Sequence, residues 1–76
     1  MIKVVVSGAA GRMGSQTVQT ILADKDCELV GVLDPRLAGE SLEANGKTLI
    51  YADNLSELLD SVDADVVVDF TRPDVA

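Results

Sequence analysis

The stretch VVVSGAAGRMGSQTV, Val4 to Val18, decides the fold of this chain. It sets Gly8, Gly11 and Gly14 between a β-branched apolar run and a segment of helical composition, with Arg12 among the glycines. A tight turn alone accounts for one glycine, because glycine adopts positive φ without a Cβ clash. Three of them between a strand and a helix point to a loop whose backbone N–H groups approach a phosphate at the positive end of the helix.

Working outward, Ile2 to Ser7 reads as a strand buried on both faces, as in a parallel sheet. Gly11 to about Lys25 reads as a helix whose packing face holds Gly14, Val18, Ile21 and Leu22. A glycine on that face costs helix stability and permits close approach to the sheet. CELVGVL, Cys27 to Leu33, is the second strand, stopped by Asp34-Pro35. Arg36 to Lys47, with Gly39 and Gly46 and weak periodicity, reads as a surface loop. Thr48 to Tyr51 is expected as a short third strand. Asn54 with Glu57 resembles a capping box ahead of the helical face Leu55, Leu58, Leu59 and Val62. Asp65 to Phe70 is the fourth strand.

This β-α-β-β-α-β order predicts an α/β fold: the first half of a Rossmann-like, doubly wound parallel sheet with strand order 3-2-1-4. The carboxyl ends of the first and fourth strands, Ser7-Gly8 and Phe70-Thr71, should then border one crevice at the switch point. Asp34, at the end of the second strand and about twenty positions after Gly14, stands where a carboxylate reaches the hydroxyls of an adenosine ribose. The spacing here is G-x-x-G-x-x-G, with Ala10 where the usual second glycine stands.

Composition sets bounds on the ligand. The chain has 76 residues and a formal charge of −7, and its six cations are scattered singly, which argues against nucleic acid. An anionic ligand needs local help from backbone dipoles and one or two arginines. The single Cys27 reads as a small hydrophobe at a strand start in a reducing compartment. No apolar stretch approaches membrane length and nothing resembles a signal peptide, so a cytoplasmic location is expected. No metal site is expected.

VSGAAGRMG, Val6 to Gly14, together with VVDFTRPDV, Val67 to Val75, closely resembles the amino-terminal domain of the dihydrodipicolinate reductase (4-hydroxy-tetrahydrodipicolinate reductase) family of lysine and diaminopimelate biosynthesis. The resemblance implies that Gly8, Ala9, Ala10, Gly11, Arg12 and Met13 embrace the pyrophosphate of NADH or NADPH. It further implies that Asp34 binds the adenosine ribose and that Phe70 and Thr71 sit on the nicotinamide side. The implied reaction is hydride transfer to a cyclic, imine-like dicarboxylate. In the family a second cofactor loop, a substrate domain with a His-His-x-x-Lys type motif, and homotetramer contacts lie further along the chain. This sequence has no His, and Thr71-Arg72-Pro73-Asp74 is a helix-start signal just before Ala76. Residues 1–76 are therefore expected to form part of a dinucleotide-binding domain that is inactive alone, carries no catalytic residue, and is marginally folded or self-associating.

Other readings start from the same residues. Arg12 and Arg36 each suit a ribose 2′-phosphate, Met13 suits packing beneath the loop, and Asp69 suits a bond to loop backbone. A stand-alone nucleotide-binding sensor, or another nicotinamide-dependent dehydrogenase, would share the loop.

Overall fold

A computed structural model describes residues 1–44 and 46–70; Thr71, and with it the helix-start signal, lies outside the described residues. The elements are β1 (Ile2–Ser7), α1 (Arg12–Ala23), β2 (Cys27–Leu33), a 3-10 turn (Pro35–Leu37), β3 (Ser41–Ala44), β4 (Lys47–Ile50), α2 (Leu55–Ser61) and β5 (Val66–Asp69).

The central sheet is three-stranded and parallel, in the order β2-β1-β5. Alternation of side chains along β1 sends Val4 and Val6 to one face and Val5 to the other. Val4 and Val6 cluster with Val18 and Ile21 of α1, whereas Val5 clusters with Leu58 of α2. The two helices therefore cover opposite faces of the sheet, as a doubly wound arrangement requires. Gly31 of β2 makes room for the second: a Cβ there would lie 3.1 Å from a methyl of Leu58.

Helix boundaries follow from local chemistry. Asp24 ends α1 two residues before the expected Lys25, in extended conformation, because its Oδ1 accepts the N–H of Asp26 at 2.8 Å and so offers the chain a competing turn. Asn54 caps α2 as expected, its Oδ1 accepting the Glu57 N–H at 3.0 Å.

Two expectations are corrected. The segment from Arg36 to Lys47 is not one long loop: Pro35 nucleates the 3-10 turn, and β3 pairs antiparallel with β4, Ser41 opposite Ile50 and Ala44 opposite Lys47. Leu42 and Ala44 alternate with Ser41 and Glu43, a period-2 signal only four residues long, and Gly46 takes φ 81° beside the turn. The order 3-2-1-4 in one sheet is likewise not formed: β4 pairs with β3 in a separate two-stranded sheet. This segment joins β2 through a parallel bridge between Leu33 and Ala52, with Ala52 N–H donating to Val32 O and Asp34 N–H to Ala52 O, each at 3.0 Å, and through an ion pair in which Lys47 Nζ donates to Glu28 Oε2 at 2.8 Å. Leu42, Leu49 and Tyr51 still pack onto the α1-side core.

Candidate dinucleotide site at the strand tips

The glycine loop leaves β1 between the tips of β2 and β5. Gly8 takes φ 80°, a conformation disfavoured for residues with a Cβ. Its N–H and that of Ala9 donate to Leu33 O at 2.8 and 3.2 Å, which ties the loop to the end of β2. Gly11 N–H turns back to Gly8 O at 3.2 Å. Gly14, one turn into α1, is buried against this turn: a Cβ there would overlap the Gly8 carbonyl oxygen and sit 2.9 Å from the Gly8 carbonyl carbon. The close approach inferred from its place on the helix face is thus to the loop itself.

The fourth loop N–H, that of Ala10, donates to Oδ2 of Asp34 at 2.8 Å. Loop N–H groups from Gly8 to Gly11 all have partners within the chain. The groups left for an anion are those of the first turn of α1, at Arg12, Met13 and Gly14, which have no intrahelical acceptor by the geometry of a helix start. No side chain caps them, and the first turn holds no acidic residue. The amino end of α1 is consequently an uncapped positive pole whose first residue is the cationic Arg12, in a chain of net charge −7. That arrangement disfavours itself unless an anion joins it.

Asp34 is 1% exposed. Besides the Ala10 N–H, it accepts the backbone N–H of Arg36 (Oδ1, 2.9 Å), Arg36 Nε (Oδ1, 3.2 Å) and Arg36 Nη2 (Oδ2, 3.1 Å). The Arg36 side chain, foremost, and the two backbone donors hold its carboxyl at about 2, against the opposing effect of burial. A carboxyl depressed in the folded state stabilises the fold above its ordinary value of 3.8 and loses that contribution as pH falls through about 2. Screening of the Arg36 side chain, 68% exposed, reduces the contribution to about 1 kcal/mol. The stability gap between the wild type and Asp34→Asn, read from urea denaturation, is expected to be largest at pH 5 to 7 and to close between pH 4 and 2. A gap constant across that range would remove the ionised carboxylate as its cause.

The structure brings Gly8, Ala9, Ala10, Gly11, Arg12 and Asp34 together at one end of the sheet. Phe70 joins them through its N–H, which donates to Ser7 O at 2.8 Å, while its ring packs on the α1-side core. Thr71 lies outside the described residues. Met13 is the correction: at N2 of α1 its side chain is 62% exposed and does not pack beneath the loop. Asp69 lies opposite Ser7 at the end of β5, at the same end of the sheet. Sequence reading did not find Tyr51 here. Its hydroxyl is pushed up by burial first and by the charge of Asp34 second; a lone tyrosine after a four-residue strand gave no signal of this.

A concavity of about 400 Å³ opens at the opposite end of the strands, lined by Met1, Leu22, Asp24, Cys27, Glu28 and Lys47 among others. It lies by the carboxyl end of α1, away from the glycine loop and Asp34, and its lining mixes Asp24 and Glu28 with Lys25 and Lys47. Among the described residues no helix is long and apolar enough to cross a membrane, and no group of three or more His, Cys, Asp or Glu is placed to hold a metal.

Comparison with known proteins agrees with this geometry. Residues 2–76 match the family model described as "Dihydrodipicolinate reductase, N-terminus". The 4-hydroxy-tetrahydrodipicolinate reductase of Enterococcus faecalis is 45% identical over 76 residues, which is 100% of this chain and 29% of that protein. The enzyme of the same name from Listeria monocytogenes is 42% identical over 78 residues (97% of this chain, 30% of the relative), and that of Burkholderia multivorans 37% over 78 residues (96% and 29%). The chain thus spans about three tenths of the length of the curated relatives it matches. A glycine loop feeding an uncapped helix, an acidic residue at the next strand tip, and a match from residue 2 to residue 76 lead to one assignment: the chain belongs to the dihydrodipicolinate reductase family, as its amino-terminal, NAD(P)-binding domain.

Proposed function

We propose that this domain holds NADH or NADPH for a cytoplasmic reductase of lysine and diaminopimelate biosynthesis, which reduces a dihydrodipicolinate-type cyclic imine to tetrahydrodipicolinate. The observation that carries the proposal is the bare amino end of α1 beside the buried Asp34 carboxylate: one end takes the pyrophosphate, the other the adenosine ribose. The bound dinucleotide supplies hydride. The first-turn N–H groups of Arg12, Met13 and Gly14 hold its phosphates, and the Arg12 guanidinium offsets their charge. Gly8 and Gly14 keep the loop tight against the tip of β2, so that the ligand meets backbone and not side chains. Phe70, and Thr71 beyond the described residues, would border the nicotinamide side of the crevice.

The substrate site, the residue that protonates the imine nitrogen, and the contacts of a homotetramer belong to the remainder of the protein in this reading. Residues 1–76 contain no His and no other group proposed here for that proton transfer. The test uses the full-length protein. NADH titrated into it by calorimetry should show one site per subunit, and oxidation of NADH should depend on added dihydrodipicolinate-type substrate. Residues 1–76 expressed alone should show no such oxidation. A full-length protein that binds neither dinucleotide would overturn the proposal, and one that binds NADH without substrate-dependent oxidation would overturn its catalytic half.

A further inference from the structure

The Asp34 carboxylate is saturated before any ligand arrives. An ionised carboxylate offers about four acceptor positions, and here four donors use them: Ala10 N–H and Arg36 Nη2 on Oδ2, Arg36 N–H and Nε on Oδ1. The four are not equivalent. The two backbone donors are fixed, Ala10 by a loop tied to Leu33 and Arg36 N–H by a 3-10 turn whose N-cap is Asp34 itself. The two guanidinium donors sit on a side chain that is 68% exposed and free to rotate away. The same guanidinium also lies over the glycine loop, its Nη2 3.6 Å from the position a Cβ on Gly11 would take. It therefore covers both the carboxylate and the loop at the end of the site assigned to the adenosine ribose.

We propose that Arg36 acts as an internal competitor for that end of the site: its guanidinium occupies the acceptor positions on Asp34 that a ribose 2′,3′-diol needs, so the side chain must leave before a dinucleotide with free hydroxyls is seated. This inference rests on the dinucleotide reading of the site and adds the residue that sets its affinity. A ribose carrying a 2′-phosphate behaves differently. It presents one donor fewer to Asp34, and it offers the displaced guanidinium a new anionic partner, so the cost of displacement is returned. Arg36 accordingly weakens binding of NADH and not of NADPH.

Arg36→Met in the full-length protein keeps an unbranched side chain and the backbone N–H that bonds Asp34, and removes only the guanidinium. Calorimetric Kd values for NADH, NADPH and reduced nicotinamide mononucleotide, which has no adenosine ribose, are measured for both proteins. With its Arg36 side open to solvent, the ion pair is worth about a two- to fivefold change in affinity. NADH should bind tighter by that factor, NADPH weaker, and the mononucleotide without change. Arg36→Gln, which retains part of the donor set, should fall between. An NADH affinity that is unchanged or weaker in Arg36→Met would overturn the inference while leaving the dinucleotide reading in place. So would an equal gain by the mononucleotide, since the effect would then come from the loop and not the ribose. Failure of the wild-type protein to bind any dinucleotide would overturn both together.

Discussion

Replacing Gly14 by Ala is expected to cost the domain about 3 kcal/mol or more, with loss of dinucleotide binding at the same concentrations. The sign is what makes the prediction sharp. At an ordinary position inside a helix, Gly→Ala stabilises by about 1 kcal/mol because it removes backbone entropy from the unfolded chain. Here the added Cβ overlaps the carbonyl oxygen of Gly8 and crowds the Cα of Ala9 at 3.0 Å. Neither atom can yield cheaply. Gly8 already sits at φ 80° with its oxygen accepting the Gly11 N–H, and Ala9 is buried and bonded to Leu33. Either α1 lifts off the sheet, exposing Val18 and Ile21, or the loop opens. Both outcomes also move the first-turn N–H groups. Native domains have total stabilities of about 5–15 kcal/mol, so a loss of this order leaves a substantial unfolded fraction. Urea denaturation of wild type and Gly14→Ala measures it directly, and a variant as stable as the wild type or more so would show that the loop and helix do not meet as closely as described.

How much of this was legible in the sequence depends on how long each signal runs. β1 declares itself through the run Val4-Val5-Val6, with Ile2 two positions ahead of it, and α1 through the repeated face Gly14, Val18, Ile21 and Leu22. The Asn54 cap is a local bond between residues three apart, so it survives any error in the wider fold. The β3–β4 hairpin failed to show because β3 has only four residues and lies between Gly39 and Gly46, which read as loop, so that the expected strand Thr48 to Tyr51 had no partner before it. The order of strands failed for a related reason: nothing in Lys47 to Ala52 says that its hydrogen bonds go first to β3, leaving a single bridge for β2.

At the site, residue identities were legible and partners were not. Spacing put Asp34 at the strand tip, but its bond to the Ala10 N–H spans 24 positions and depends on how the loop closes. The Asp34–Arg36 pair is local, yet it forms only because Pro35 bends the chain into a 3-10 turn that returns Arg36 over its neighbour. Only the packing of Met13 beneath the loop was misjudged, because the first turn of α1 presents its N2 side chain to solvent. The motif is thus better described by which N–H groups it leaves open than by which side chains it carries.

Gly11 separates these two descriptions, and its replacement by Val is expected to lower NADH affinity by about 100-fold or more, equivalent to about 2.7 kcal/mol, while the domain stays folded. Unlike Gly14, it has an ordinary backbone, φ −72° and ψ 167°, which valine adopts readily. A Cβ there meets Gly8 O at 3.5 Å and Arg36 Nη2 at 3.6 Å, ordinary contacts that demand no rearrangement. The backbone and the room for a Cβ therefore give no reason for glycine at this position. A ligand does: the residue is the N-cap of α1, and branched methyl groups on it project beside the open N–H groups where phosphate oxygens must come within about 3 Å. Gly11→Ala should give a smaller loss, because one methyl group fills less of that space. Thermal unfolding checks that the fold survives, and calorimetry with NADH reads the affinity. If Gly11→Val melts with the wild type and binds NADH equally well, the phosphate does not lie against the amino end of α1; if it fails to fold, the space beside Gly11 is not open as the distances to Gly8 and Arg36 require.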